Sequence, residues 1–238
     1  MKKSRYIVAF FFVVNTFTAV GQVPDAKEVI NRVMEYYKNV HEYHITMNFN
    51  LFRGKDGKKS SQFYQGFMEK KGTFHKNTVG QTQVFQFKDH RMILDKAKKT
   101  IQFSNEGHKD HKDGFGGLNA LFENYNQVKI ASMNDAYWIC EFSLKNQQFT
   151  QMQYDKVVLH IHKERYNISK QLLYFAAKVP FSENGKQVLD YGRMEITIKE
   201  DTKREIKRSK ISDYLILDGQ QHIAKPPYQH YEVKQLSK

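Results

Sequence analysis

The sequence predicts an α+β fold: a twisted antiparallel sheet with one apolar face, and an amphipathic helix lying against it. Three observations carry this expectation. Between residues 43 and 103 apolar side chains recur at every second position: Ile45, Met47, Phe49 and Leu51, then Phe63 and Phe67, Phe85 and Phe87, Met92 and Leu94, Ile101 and Phe103. Such alternation marks strands with one covered face and one wet face. Turn chemistry falls between the runs, at Asp56-Gly57, at residues 88–90 and at residues 95–99. Ahead of them, Ala26, Val29, Ile30, Val33, Met34, Tyr37 and Val40 form one broad stripe at helical spacing.

Residues 1–21 read as a leader. Lys2, Lys3 and Arg5 form a basic start, residues 6–12 are apolar, and Asn15 and Thr16 then interrupt the run. Ala19 and Gly21 stand at the −3 and −1 positions of a cut before Gln22, the pattern of a cleavable signal peptide rather than a membrane anchor. No cysteine follows the apolar run, so no N-terminal lipid is expected and the product is a soluble exported protein. Cleavage removes three positive charges and no acidic residue, so the formal charge falls from +13 to +10. Residues 22–238 suit one domain with an ample core, and no repeat or low-complexity linker divides them. The 14 tyrosines and 18 phenylalanines argue against a disordered chain.

The elements follow in order. The spacing predicts a helix over 25–40, with Pro24 before it, Asp25 as its cap and Glu28 placed as in a capping box. The meander occupies 43–103. A Gly-rich charged loop covers 105–117, and Leu118, Leu121, Phe122 and Tyr125 then give a short helix. Strands resume at 137–144, 156–162, 171–179 and 187–198, with Asn184-Gly185 as a hairpin turn. A charged turn over 199–210 precedes the last two strand-like stretches.

Chemistry is sparse. The sequence lacks G-x-S-x-G, H-E-x-x-H, a phosphate-cradling glycine loop and paired cysteines, so no enzyme, catalytic residue, metal or cofactor is expected. His108, Asp110, His111 and Asp113 sit close together, but Lys109 and Lys112 alternate with them and oppose a cation, so a solvated loop is expected. His160 and His162 share a strand face and read as packing residues. Cys140, the one cysteine, alternates in YWICEFSL as a small buried hydrophobe. Export and the lack of a recognition motif disfavour nucleic acid.

The order of helix, meander, flexible loop, short helix and further hairpins, with the segment KDHRMILD-KAKK-TIQFS, resembles the outer-membrane lipoprotein carrier family, the LolA/LolB-like proteins. The likeness covers about residues 23–179 and is most specific over 73–104. It implies a strongly curved, incomplete antiparallel barrel wrapped over the first helix and a short lid helix at 118–125, with residues 180–238 as elaborated C-terminal strands. It also implies a periplasmic carrier without catalysis that takes acyl chains of lipoproteins or lipids. Arg53 and Arg91 are the candidates for the arginine by which family members hold the lid closed.

On that resemblance Ile45, Met47, Phe49, Leu51, Phe63, Phe67, Phe85 and Phe87 line a cavity closed by Leu118, Leu121 and Phe122. The other reading stays open: the helix stripe fills this face as core, and the chain is an envelope interaction module. Lys203, Arg204, Lys207, Arg208 and Lys210 form a basic run, either a solvated edge or a docking patch for an anionic membrane surface or an envelope partner protein.

Overall fold

The computed structural model describes residues 23–105, 117–132, 134–144, 152–183, 185–201, 203–218 and 221–236. The leader with its cut, the residues His108, Asp110, His111, Asp113, Gly114 and Gly116, and Asn184 lie outside them.

Helix α1 (Ala26–Asn39) begins where expected, because Asp25 Oδ1 accepts the Lys27 N–H at 2.7 Å. Glu28 does not complete a capping box; its carboxylate holds Arg32 one turn on, at 2.7 Å. At the other end the buried Lys70 donates to the carbonyls of Tyr37 (2.7 Å) and Lys38 (3.2 Å). A cation there meets the negative end of the helix dipole and carbonyls that have no partner within the helix.

The strands are β1 (Glu42–Arg53), β2 (Ser60–Lys71), β3 (Phe74–Val79), β4 (Thr82–Gln86), β5 (Arg91–Asp95) and β6 (Thr100–Ser104). After α2 (Ala120–Asn124) come β7 (Gln127–Ser132), β8 (Tyr137–Ser143), β9 (Tyr154–His162), β10 (Ile168–Phe175), β11 (Val179–Glu183), β12 (Lys186–Asp190) and β13 (Gly192–Asp201). A 3-10 turn (Ile211–Asp213), β14 (Leu215–Asp218), β15 (Gln221–Ala224) and β16 (Glu232–Gln235) finish the chain.

Twelve strands form one curved, unclosed sheet in the order β16-β6-β5-β4-β3-β2-β1-β13-β10-β9-β8-β7. All its pairs are antiparallel except β16 on β6. Strand β13 lies beside β1 in the middle of the sheet, and the pairs β11–β12 and β14–β15 stand apart as hairpins. No helix of the described residues is long and apolar enough to cross a membrane.

The sheet has two cores, one on each face. The inner face, the one under α1, takes Tyr43, Ile45 and Met47 of β1, Ile196 and Ile198 of β13, Val157, Leu159 and Ile161 of β9, and Cys140 and Phe142 of β8. On β4, β5 and β6 the apolar side chains point the other way. Phe85 pairs with Met92, Met92 with Phe103 and Leu94 with Ile101, all on the outer face. The ladder fixes this, since Phe85 lies opposite Lys76, Lys76 opposite Glu69, and Glu69 opposite His44, the neighbour of inward Ile45. The strap 203–231 covers that outer core with Ile206, Ile211, Tyr214, Leu215, Ala224, Tyr228 and Tyr231. Its Tyr214 ring lies 4.9 Å from Phe85, and His222 lies 4.2 Å from Phe103.

Candidate ligand-binding face

The inner residues of β1 order the site along one line. Tyr43, Ile45 and Met47 lie beneath the α1 stripe and are closed core. Phe49, two steps on, is only half-buried. Leu51 is buried again, against Phe175 and Phe181 of the β11–β12 side. Between the two sealed stretches lies a belt of half-buried apolar side chains: Phe49, Tyr64, Tyr154, Leu173 and Met194.

Local sequence shapes this belt. Phe49 stacks on Tyr64 at 4.8 Å, nearly parallel. Gly66 permits it, because a Cβ there would lie 2.8 Å from the Thr78 carbonyl and 3.0 Å from the Phe49 ring. The Tyr64 hydroxyl points at Met194 Sδ, 3.7 Å away. Burial pushes the Tyr64 phenol up, and burial with the nearby Tyr64 pushes Tyr154 up, so both stay neutral. Neutral rings and a thioether make a wall for apolar matter that adapts its shape.

Helix α2 borders the belt. Leu118 is buried, Phe122 meets Phe142 edge-on at 5.2 Å, and the Tyr125 hydroxyl donates to the Tyr154 carbonyl at 3.0 Å. Burial, helped by the charge of Asp155, pushes the Tyr125 phenol to about 12. Between α2, the start of α1 and β7 opens a groove of about 690 Å³ lined by the apolar Val23, Pro24, Ala26, Phe122, Val128 and Ile130 and by the charged Asp25 and Lys27.

The structure divides the residues that the sequence grouped. Ile45, Met47, Phe49, Leu118, Leu121 and Phe122 share the inner cluster, and Leu51 joins the smaller one beside it. Phe63 and Phe67 do not share a face with Ile45. Ile45 pairs with Met68 and Phe49 with Tyr64, so Met68, Gly66 and Tyr64 point inward, while Phe63 is 63% exposed on the outer face. Phe85 and Phe87 belong to the outer core beneath the strap. Sequence reading missed Tyr64, Tyr154, Leu173 and Met194; Leu173 and Met194 alternate within stretches recognised as strands, whereas Tyr64 needed the register.

Cys140 is fully buried and its thiol is pushed up to about 12 by burial, as an inert core residue should be. His160 is held down by burial and by Lys170, and His162 accepts the Glu164 N–H at 3.3 Å. No group of three metal-ligating side chains occurs among the described residues. Arg53 binds Asp190 (2.8 Å) and Glu183 (2.6 Å), so it fastens the β11–β12 hairpin rather than α2, and Arg91 is exposed. Lys203, Arg204, Lys207, Arg208 and Lys210 are all exposed and make no ion pair with another described residue, while Ile206 between them is buried.

No family model and no curated protein matches the chain. Solved structures do. A LolA superfamily protein from Nitrosomonas europaea is similar at 10% identity over 77% of this chain and 96% of its own, with a TM-score of 0.32. An uncharacterized conserved protein from Thermus thermophilus is similar at 7% identity over 89% of this chain and 99% of its own, with a TM-score of 0.46. The Mycobacterium tuberculosis lipoprotein LppX is similar at 7% identity over 77% of this chain and all of its own, with a TM-score of 0.38. The first of these bears the family name that the sequence pattern resembles. At such identities and scores the likeness assigns no residue a role.

Proposed function

We propose that the chain is an exported binding protein that shields an acyl chain of a lipid or lipoprotein on its inner face and does no chemistry on it. The observation that carries this reading is the half-buried belt of Phe49, Tyr64, Tyr154, Leu173 and Met194, set between two sealed clusters on one face. A core built only for stability gains by closing such a gap. Each methylene laid on the belt contributes about 0.8 kcal/mol, so part of an acyl chain suffices for useful affinity. The exposed cations from Lys203 to Lys210 dock the protein on an anionic membrane surface or an acidic envelope partner.

Native mass spectrometry of protein taken from the periplasm of its own host, followed by lipid extraction, tests the reading. The expected result is a bound mass of lipid or acylated peptide that disappears in Met194→Glu. Bare polypeptide that also refuses acyl probes would instead support a filled core and a purely docking role.

A further inference from the structure

Where β1 leaves Leu51 it runs into a cleft of about 720 Å³ between the β1–β2 turn and the β11–β12 hairpin. The turn is built rather than loose. Arg193 donates to the Lys55 carbonyl (2.6 Å) and the Gly57 carbonyl (3.2 Å), and the Gly54 N–H donates to the Tyr191 carbonyl at 2.7 Å. Lys55 is paired with the buried Asp155 carboxylate. Gly57 admits no side chain, since a Cβ would fall 2.0 Å from the Arg53 carbonyl.

Charge in the cleft is lopsided. Its two carboxylates, Glu183 and Asp190, are both held by Arg53. Lys58 and Lys59 are exposed, line the cleft and make no ion pair with another described residue. The hydroxyls of Ser60 and Ser61 already donate to the carbonyls of Gln62 and Leu51, so the two ammonium groups and the Ser182 hydroxyl are the side-chain donors left for a ligand. Phe181 links cleft to belt. It lines the cleft and packs with Leu51 and Phe175 in a cluster that also touches Tyr154 and Met194. From Phe49 on the belt to Arg53 at the cleft is four residues of strand, about 13 Å.

We propose that this cleft binds a phosphate group, carried as the headgroup of the amphiphile whose chain lies on the belt; the headgroup assignment rests on the function proposed above. Two lysines, each a point charge with three rotatable donors, suit a tetrahedral oxyanion approached from several sides. A planar carboxylate favours an arginine fork, and the fork here is occupied.

The test measures three probes at low salt by calorimetry: lysophosphatidylglycerol below its micelle concentration, an uncharged monoacylglycerol of equal chain length, and inorganic phosphate. The wild type binds the lysophospholipid about tenfold tighter than the monoacylglycerol, a preference of about 1.4 kcal/mol. Lys58→Gln/Lys59→Gln abolishes the preference and keeps monoacylglycerol binding. Lys96→Gln/Lys98→Gln, which removes the same charge from an exposed turn, leaves it intact. A preference that survives Lys58→Gln/Lys59→Gln overturns the cleft assignment and leaves the acyl reading standing. Phosphate binding that is lost in Lys58→Gln/Lys59→Gln, with neither amphiphile bound, supports the cleft as a site for free phosphate and sinks the acyl reading.

Discussion

One sheet carries two cores that were finished differently. Beneath the strap, Phe85, Met92, Leu94, Ile101 and Phe103 are all buried to about one per cent or less, and Tyr214 and His222 lie directly on the rings. On the inner face α1 seals one end and the cluster of Leu51, Phe175 and Phe181 seals the other, and between them Phe49, Tyr64, Leu173 and Met194 stay half-buried. Both covers are made of ordinary apolar side chains, so the difference is one of coverage. A 14-residue helix spans about 21 Å and cannot reach the far end of the 12-residue strands it lies on. The strap meets strands of only five residues and covers them whole.

The comparison breaks hardest at the strap. A chain truncated after Asp201 bares five large apolar residues, and the expected outcome is loss of cooperative melting, strong dye binding and aggregation. A monomeric truncated form with a sharp melting transition would show that the outer core needs no cover. Next, Phe103→Ala should cost about 3–5 kcal/mol in urea unfolding, the range for an aromatic core residue. Phe49→Ala, on a ring only half-buried, should cost about 1–2 kcal/mol but remove most acyl-probe binding. Equal stability losses would erase the distinction between the two faces.

A third measurement sharpens the α1 side. Lys70→Ala strips the helix end of two hydrogen bonds from a cation, and about 1.5–3 kcal/mol of stability should go with them. The smallest effect concerns pH. Burial raises the Glu195 carboxyl, but hydrogen bonds and charge from Lys170 and Arg193 outweigh it and hold the group below its ordinary value. Its contribution is therefore present above the unfolded pKa and fades as pH falls through the folded one. Glu195→Gln should be less stable by about 0.5–1 kcal/mol at pH 7, with the gap to wild type closing as the solution is acidified toward pH 3.

Much of this was legible in the residues. The stripe from Ala26 to Tyr37 gave the helix, and the alternation from Ile45 to Leu51 gave the strand and its inward side. What alternation cannot supply is parity across a turn. Phe63 and Phe67 keep the same rhythm as Ile45 and Met47, yet the register Ile45↔Met68 turns them outward. The same parity carries Phe85 and Phe87 to a second core. A hint lay further on: Ile206, Ile211, Tyr214, Leu215, Tyr228 and Tyr231 need burial somewhere, though basic neighbours make residues 203–210 look like a plain solvated turn. The belt was the least legible part, because it depends on where a helix stops rather than on any motif.

The parallel pairing of β16 on β6 also sets a timetable. Val233 lies beside Ile101, about 130 residues earlier in the chain. A polypeptide made from its N-terminus presents the whole β4–β6 meander long before the segment that covers it exists. Throughout that interval Phe85, Leu94 and Phe103 stand bare on a nascent sheet, and any holding chaperone has its best target there. Native structure is completed by the last strand to arrive.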